Sequence, residues 1–155
     1  MTHRLYLGGQ VSGLTFAEAD GWRQDIRALF PPSVELVNPL RGNEYLIDHG
    51  VLGPGHDDEY LKLVMTTAKA ITYRDRHDVR TSDMVLMNLL GMKRASIGCM
   101  IELGWADAFG VPVVIVMEEG NPHEHAMVTT IAGWIVDSLE EAAFVVRTVL
   151  GGEAL

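Results

Sequence analysis

Glu102 is the one carboxylate in the stretch SIGCMIELGW (96–105). Its neighbours there are small or apolar and helical in spacing, and the chain continues through ADAFG into the β-branched run VPVVIVM (111–117). An acid among apolar neighbours costs free energy unless it is paired or put to use. Gly98 precedes it by one helical turn, on the same face, and has no side chain to cover it. A carboxylate so placed can act as a nucleophile or a base. The same spacing also suits a buried ion pair or a capping glutamate, and spacing alone does not separate these.

Four other short stretches carry polar chemistry. GGQVSG (8–13) is a glycine-rich turn that can bring backbone close to a ligand. A dinucleotide fingerprint needs glycine where Gln10 stands, and a P-loop needs lysine where Leu14 stands, so a nucleotide cradle and a plain tight turn both stay open. TYRDRHD (72–78) holds Asp75 and Asp78 ahead of Asp83; the run reads as a solvated charged face, and Asp83 as a cap or turn-closing residue before a strand. NPHEH (121–125) offers His123 and His125 at i and i+2, which do not share a helical face. With no Cys or further His at zinc spacing, no metal site is expected. Ser138 reads as an N-cap with Glu141 at the capping-box position.

Alternating strands and helices must position these residues. Strands are expected at 4–9, 34–39, 84–90, 111–117 and, weakly, 134–136. Helices are expected at 15–30, 58–83, 96–110 and 138–150, with a short one within 123–133. Thr15 and Glu18 have capping-box spacing, and Pro31 and Pro32 stop the first helix. Segment 40–60, with four glycines, reads as a long functional or mobile loop in which PLRGNEYL can bring Arg41 or Asn43 over a substrate. The alternation predicts one α/β domain over 1–155 with a parallel sheet, its ligand crevice beyond the C-terminal strand ends.

The chain has 155 residues, 48% of them hydrophobic and 21% charged, as in an ordinary globular protein. Its net charge of −9 argues against a nucleic acid polymer as partner but not against one small nucleotide. Cys99 is the only cysteine, which excludes an intramolecular disulfide and suits a reducing compartment. No window approaches the roughly 18–20 apolar residues of a membrane span, and MTHRLYLGG lacks the apolar core of a signal peptide, so a cytoplasmic protein with no membrane partner is expected.

Taken in chain order, YLGG (6–9), YRD (73–75), SDMVLMNL (82–89), SIGCMIELGWADAFGVPVVIV (96–116) and HAM (125–127) resemble the nucleoside 2-deoxyribosyltransferase family over residues 4–136. The most specific part is S-x-G-x-x-x-E-x-G-x-A at 96–106. The resemblance implies a flavodoxin-like or Rossmann-like three-layer sandwich around five parallel strands. It implies cleavage of the N-glycosidic bond of 2′-deoxynucleosides or their 5′-monophosphates, with the deoxyribosyl group passing to another base. A related branch hydrolyses nucleoside monophosphates. Carried to the matching positions, Glu102 becomes the nucleophile at C1′, Tyr6 the hydroxyl that orients it, and Asp75 the acid that contacts the base and protonates the leaving nitrogen. Gly8, Gly9 and Gly98 admit the sugar, and Asn88, Ser96, His125 and Met127 complete the substrate-binding set.

Two positions depart from the transferase pattern. Transferases that prefer free nucleosides carry Asp six residues before the nucleophile, where this chain has Ser96, as the monophosphate hydrolases do. A hydroxyl at a helix N-terminus suits a phosphate that a carboxylate would repel. The HAM position that reaches a neighbouring subunit's site is Asn in some transferases and Ser in the hydrolases; here it is His125, which can bind phosphate when protonated. Because such sites are shared between subunits, a homodimer or larger homo-oligomer is implied. The partners expected are a nucleoside or nucleotide and a free nucleobase, with no cofactor. Transfer leads as the family's commonest activity, with hydrolysis of a 5′-monophosphate close to it. A non-catalytic nucleotide sensor, binding at GGQVSG and signalling through 40–60, would not need Tyr6, Asp75 and Glu102 together. Flavin chemistry would need an aromatic-rich loop after the third strand, where none stands.

Overall fold

The computed structural model describes residues 1–53 and 63–151. Its strands β1 (His3–Gly9), β2 (Val34–Val37), β3 (Met84–Asn88), β4 (Val113–Val116) and β5 (Trp134–Val136) form one sheet. The order is β2-β1-β3-β4-β5 and every neighbouring pair is parallel. Around it lie α1 (Phe16–Asp25), α2 (Ala68–Thr81), α3 (Ile97–Phe109), α4 (Ala126–Ile131) and α5 (Leu139–Leu150). The flavodoxin-like α/β sandwich expected from the sequence is the fold observed.

Helices cover both faces of the sheet, which is why β3 and β4 are apolar nearly throughout rather than alternating. Successive side chains of β1 part to opposite faces. Leu5 and Leu7 enter a core with Ile26, Phe30, Ala142 and Val146, beside α1 and α5. Tyr6 enters the other core with Val79 of α2 and Cys99 and Leu103 of α3. That two-residue period aims Tyr6 at α2 and α3, where the acids stand.

From β1 the chain crosses to β2 on one side, then returns to lay β3 on the other. The connections diverge between β1 and β3, where Gly9 pairs with Asn88, so a crevice opens beyond those two residues.

Local signals set most helix ends. Thr15 and Glu18 form the capping box, Ser96 caps α3, Gly110 closes it at φ +69°, and Ser138 Oγ accepts the Glu141 N–H at 3.2 Å. Among the boundaries that differ from expectation, β3 stops at Asn88, two residues early, and four others have a local account. The end of the first helix tightens into a 3₁₀ turn at Ile26–Leu29, ahead of Pro31, which has no N–H to donate. β2 stops at Val37 because Asn38 turns its side chain to Asp20 and to the Leu40 N–H. β4 starts only at Val113, since the Val111 N–H is used by Ala106 O in closing α3. α2 begins at Ala68, capped by Thr67; the expected start at Asp58 and Glu59 lies outside the described residues.

The described part of segment 40–60 is ordered by its own contacts. Leu40, Leu46 and Leu52 pack with Phe16 and Ala19 in a third small core. Gly13 N–H donates to Leu52 O and Leu52 N–H to Leu14 O, both at 2.8 Å, which stitches this segment to the turn after β1. Among the described residues, no helix is long and apolar enough to cross a membrane.

Candidate active site

Tyr6, fully buried on β1, donates its hydroxyl to Glu102 Oε1 across 3.0 Å. Glu102 comes from the second turn of α3 and is half-buried. Beside it is Gly8. A Cβ there would come within 2.7 Å of Met87 Sδ and 3.2 Å of Glu102 Oε2, so the bare backbone is what lets the carboxylate lie against the strand end. Asp75, on α2, is buried as well and accepts from Arg74 Nε at 3.3 Å.

The environment moves each proton in a defined direction. Burial pushes the Glu102 carboxyl up to about 8, and the Asp75 charge adds to this; the Tyr6 hydrogen bond and the Arg23 charge oppose it. Burial likewise pushes Asp75 up to about 6 against the pull of Arg74. Tyr6 is held well above the ordinary phenol range by burial and by Glu102, so it stays a donor. Burial also pushes the Cys99 thiol up to about 12, which leaves it without thiolate character as a rival nucleophile. The two carboxyls therefore share about one proton at neutral pH.

Arg23 is a site residue that the sequence reading missed. It is buried in α1, and its hydrogen bonds to Leu7 O (3.1 Å), Gly9 O (3.2 Å) and Ala19 O all end on backbone carbonyls. Its guanidinium also stacks on Trp22, 4.6 Å from the ring centre. A cation is thus fixed under the end of β1, and it favours the ionised form of Glu102. The signal was present. In the series Phe16, Ala19, Arg23, Ile26 and Phe30, spaced three or four apart, arginine is the one charged member of a core-facing stripe.

The remaining candidates fall into three groups. Gly9 and Asn88 end the paired strands β1 and β3, and Ser96 and Gly98 stand at the start of α3. A Cβ on Gly9 would stand 3.0 Å from both Asn88 O and the Trp22 ring. Asn88 folds its side chain onto its own loop and accepts the Leu90 N–H at 3.1 Å. Ser96 caps α3 by accepting the Cys99 N–H at 3.3 Å. A Cβ on Gly98 would meet nothing within 4 Å, so the space over that turn is open. His125 caps α4 and Met127 lies in its first turn, both exposed, with His125 Nδ1 accepting the Met127 N–H at 3.2 Å. Among the described residues, no group of three or more His, Cys, Asp and Glu side chains converges as a metal centre would require.

Three other stretches resolve differently from one another. TYRDRHD is not a solvated face: Asp75 and Asp78 are three residues apart, both point inward with Val79, and arginines compensate both. Arg41 grips Asp78 through two hydrogen bonds of 2.8 and 3.0 Å, so its guanidinium is committed to α2. Asn43 is buried near it. In GGQVSG, the Gly13 N–H goes to Leu52 O and the Leu14 N–H to Val11 O, and Gly13 adopts φ +85°, so these groups build a tight turn. Asp83, expected to cap or close a turn, instead ties the start of β3 to β1 by accepting the Arg4 N–H at 2.7 Å.

A parallel α/β sheet of order 2-1-3-4-5, with a tyrosine-held glutamate at its switch point, is a flavodoxin-like domain with a carboxylate site. The chain belongs to the nucleoside 2-deoxyribosyltransferase family, whose sequence model matches residues 5–143. Among solved structures, a conserved protein from Enterococcus faecalis V583 is similar at TM-score 0.69 and 17% identity, covering 96% of this chain and 99% of that one. A 2-deoxyribosyltransferase from Bacillus psychrosaccharolyticus gives 0.62 at 14% identity over 90% of each chain. The CMP N-glycosidase BcmB of Clostridium botulinum gives 0.54 at 15% identity over 93% and 98%. At these identities the likeness is one of fold. Comparison with curated proteins finds no sequence match. The family points to an enzyme of deoxyribosyl transfer or N-glycosidic cleavage, acting on small nucleosides or nucleotides and bases.

Proposed function

We propose that this protein cleaves the N-glycosidic bond of a 2′-deoxynucleoside or its 5′-monophosphate through Glu102 and passes the deoxyribosyl group to another nucleobase. The observation that carries this reading is the Tyr6–Glu102 hydrogen bond at the switch point, with the buried Asp75 as a second carboxyl. With carboxyls at about 8 and about 6 the shared proton rests mainly on Glu102, and the reacting form is the minor one in which it has moved to Asp75. Ionised Glu102 then attacks C1′ and forms a glycosyl ester while the bond to the base breaks, and Asp75 gives its proton to the departing nitrogen. The incoming base then attacks C1′, Glu102 leaves as carboxylate, and the new base's proton returns to Asp75. Tyr6 holds the ionised carboxylate in place, the nearby charge of Arg23 favours it, and the open space over Gly98 gives the sugar room.

Ser96 supports a second reading. A serine in place of an acid at the N-cap of α3 removes the repulsion a 5′-phosphate would meet. With water in place of the second base, the reaction becomes hydrolysis of a nucleoside 5′-monophosphate to base and sugar phosphate. Either reaction fits a homodimer in which a second copy brings His125 and Met127 to the site; Ile97, Ile101 and Met127 are large apolar side chains exposed on α3 and α4. The lone buried thiol of Cys99 suits the cytoplasm.

The test is incubation with a deoxynucleoside, or its 5′-monophosphate, together with a different free base, followed by chromatography. A new nucleoside or nucleotide means transfer; free base with sugar or sugar phosphate alone means hydrolysis. Tight binding without turnover, unaffected by Glu102→Gln, would instead mark a sensor. Full activity in Glu102→Ala would overturn the mechanism.

A further inference from the structure

His123 is a histidine with 1% exposure, and none of the chemistry above uses it. Its Nε2 accepts the backbone N–H of Ser96 at 2.9 Å, and its Nδ1 lies 2.7 Å from Asn121 Oδ1. Asn121 is buried too; its Oδ1 also accepts the His123 N–H at 3.0 Å, and its Nδ2 donates to Leu89 O at 2.8 Å. The direction of every bond in this chain is fixed. Leu89 O can only accept, which settles the orientation of the Asn121 amide. Ser96 N–H can only donate, which requires a lone pair on Nε2 and leaves the proton on Nδ1, facing Asn121 Oδ1. The result is a strut from Leu89, just past the end of β3, through the loop after β4, to Ser96, the N-cap of α3.

We propose that His123 is a positioning residue that sets recognition of the substrate's 5′ end, by fixing Ser96 at the mouth of α3. This rests on the reading that Ser96 meets the 5′ end of a nucleoside or nucleotide. The strut needs the neutral ring: an N–H at Nε2 would confront the Ser96 N–H, donor against donor. Burial lowers the imidazole's affinity for a proton, with Glu118 opposing, which favours the form the geometry needs.

Two polar substitutions test the proposal. The His123→Gln amide reaches the place of Nε2 and still accepts the Ser96 N–H; that of His123→Asn reaches only the place of Nδ1 and leaves Ser96 unpaired. His123→Asn is expected to raise KM for a deoxynucleoside 5′-monophosphate about tenfold, the effect of one lost hydrogen bond, with kcat within about twofold and the free nucleoside affected less than about threefold. His123→Gln is expected to restore KM to within about threefold of the unsubstituted protein. Equal changes for both substrates, a loss confined to kcat, or no difference between the two variants would each overturn the proposal. A second arm needs no substrate: the long-range ¹H–¹⁵N spectrum of the ring, assigned by its loss in His123→Gln, should show the neutral Nδ1–H tautomer at neutral pH. The Nε2–H tautomer or a charged ring would overturn the strut itself. If the unsubstituted protein turns over neither substrate, the enzymatic reading falls and the 5′-end role with it, while the spectrum still judges the strut.

Discussion

Tyr6 and Glu102 stand 96 positions apart in the chain and are joined by one hydrogen bond of 3.0 Å that ties the first strand to the third helix. Tyr6 is the donor, because its environment keeps the phenol protonated far above neutral pH. The bond strengthens as Glu102 gains charge, so it is worth most in the ionised state the proposed attack requires.

Tyr6→Phe removes that stabilisation without changing the packed volume much. The Glu102 carboxyl, already at about 8, should rise further, because the hydroxyl pulls it down. The alkaline limb of kcat/KM is expected to move up by about one pH unit, and kcat/KM at neutral pH to fall roughly 10–100-fold. Rate profiles of the two proteins check this, and an unmoved limb would show that Tyr6 only packs.

The unsubstituted protein should show a bell-shaped dependence of kcat/KM on pH, with limbs near 6 and 8 set by the Asp75–Glu102 pair. Activity needs one proton on the pair: below about 6 both carboxyls hold one, and above about 8 neither does. Asp75→Asn removes the partner that raises Glu102. Its profile should rise once with pH, at a midpoint below 8, without an alkaline fall, and its maximum should drop about 10²–10⁴-fold for bases that must be protonated to leave.

Glu102 is expected to weaken the fold at alkaline pH. Its carboxyl binds a proton more tightly in the folded chain, at about 8, than an unfolded glutamate does at about 4.3. Stability from this group is therefore full below about 4.3 and is lost as pH rises towards 8. Glu102→Gln should melt higher than the unsubstituted protein at pH 8.5, by a difference on the order of 3 kcal/mol, and the two should converge near pH 5. Calorimetry at the two pH values measures it; a constant difference would mean the effect is not one of charge.

Gly8→Ala separates stability from function. The new methyl meets the Met87 thioether, which can turn aside, and Glu102 Oε2, which cannot move without leaving Tyr6. Unfolding in urea should show a loss of about 1–2 kcal/mol, while kcat/KM should fall by about 10²-fold or more. A loss of activity no greater than the loss of folded protein would show that the carboxylate has slack.

Signals carried within one turn of chain were legible from sequence. The Thr15–Glu18 capping box, Ser96 and Gly110 at the ends of α3, and Ser138 before α5 each act on backbone groups two to four residues away. The parallel α/β class followed from the alternation of elements, whereas the strand order and the facing of Tyr6 came only with the structure. Asp78 was misread because its partner, Arg41, lies 37 residues away on a segment that shows no helical or strand period. His123 escaped for a similar reason: its bond to Ser96 spans 27 residues, and a histidine in NPHEH gives no sign of which ring nitrogen will meet a backbone amide. The core clusters were readable as patterns, whereas the pairing of buried polar groups required three-dimensional geometry.

Arg23 also bears on how the proposed monophosphate would arrive. The chain carries a net −9, so a nucleoside monophosphate approaches against a repulsive outer field, whereas the guanidinium, enclosed by three carbonyls, is beyond the reach of dissolved ions. Added salt collapses the first effect within a Debye length of about 8–10 Å and leaves the second intact. Capture of the monophosphate should accordingly quicken with ionic strength, in contrast to the usual slowing for a protein that attracts its substrate from afar, while a neutral nucleoside should bind at a rate indifferent to salt.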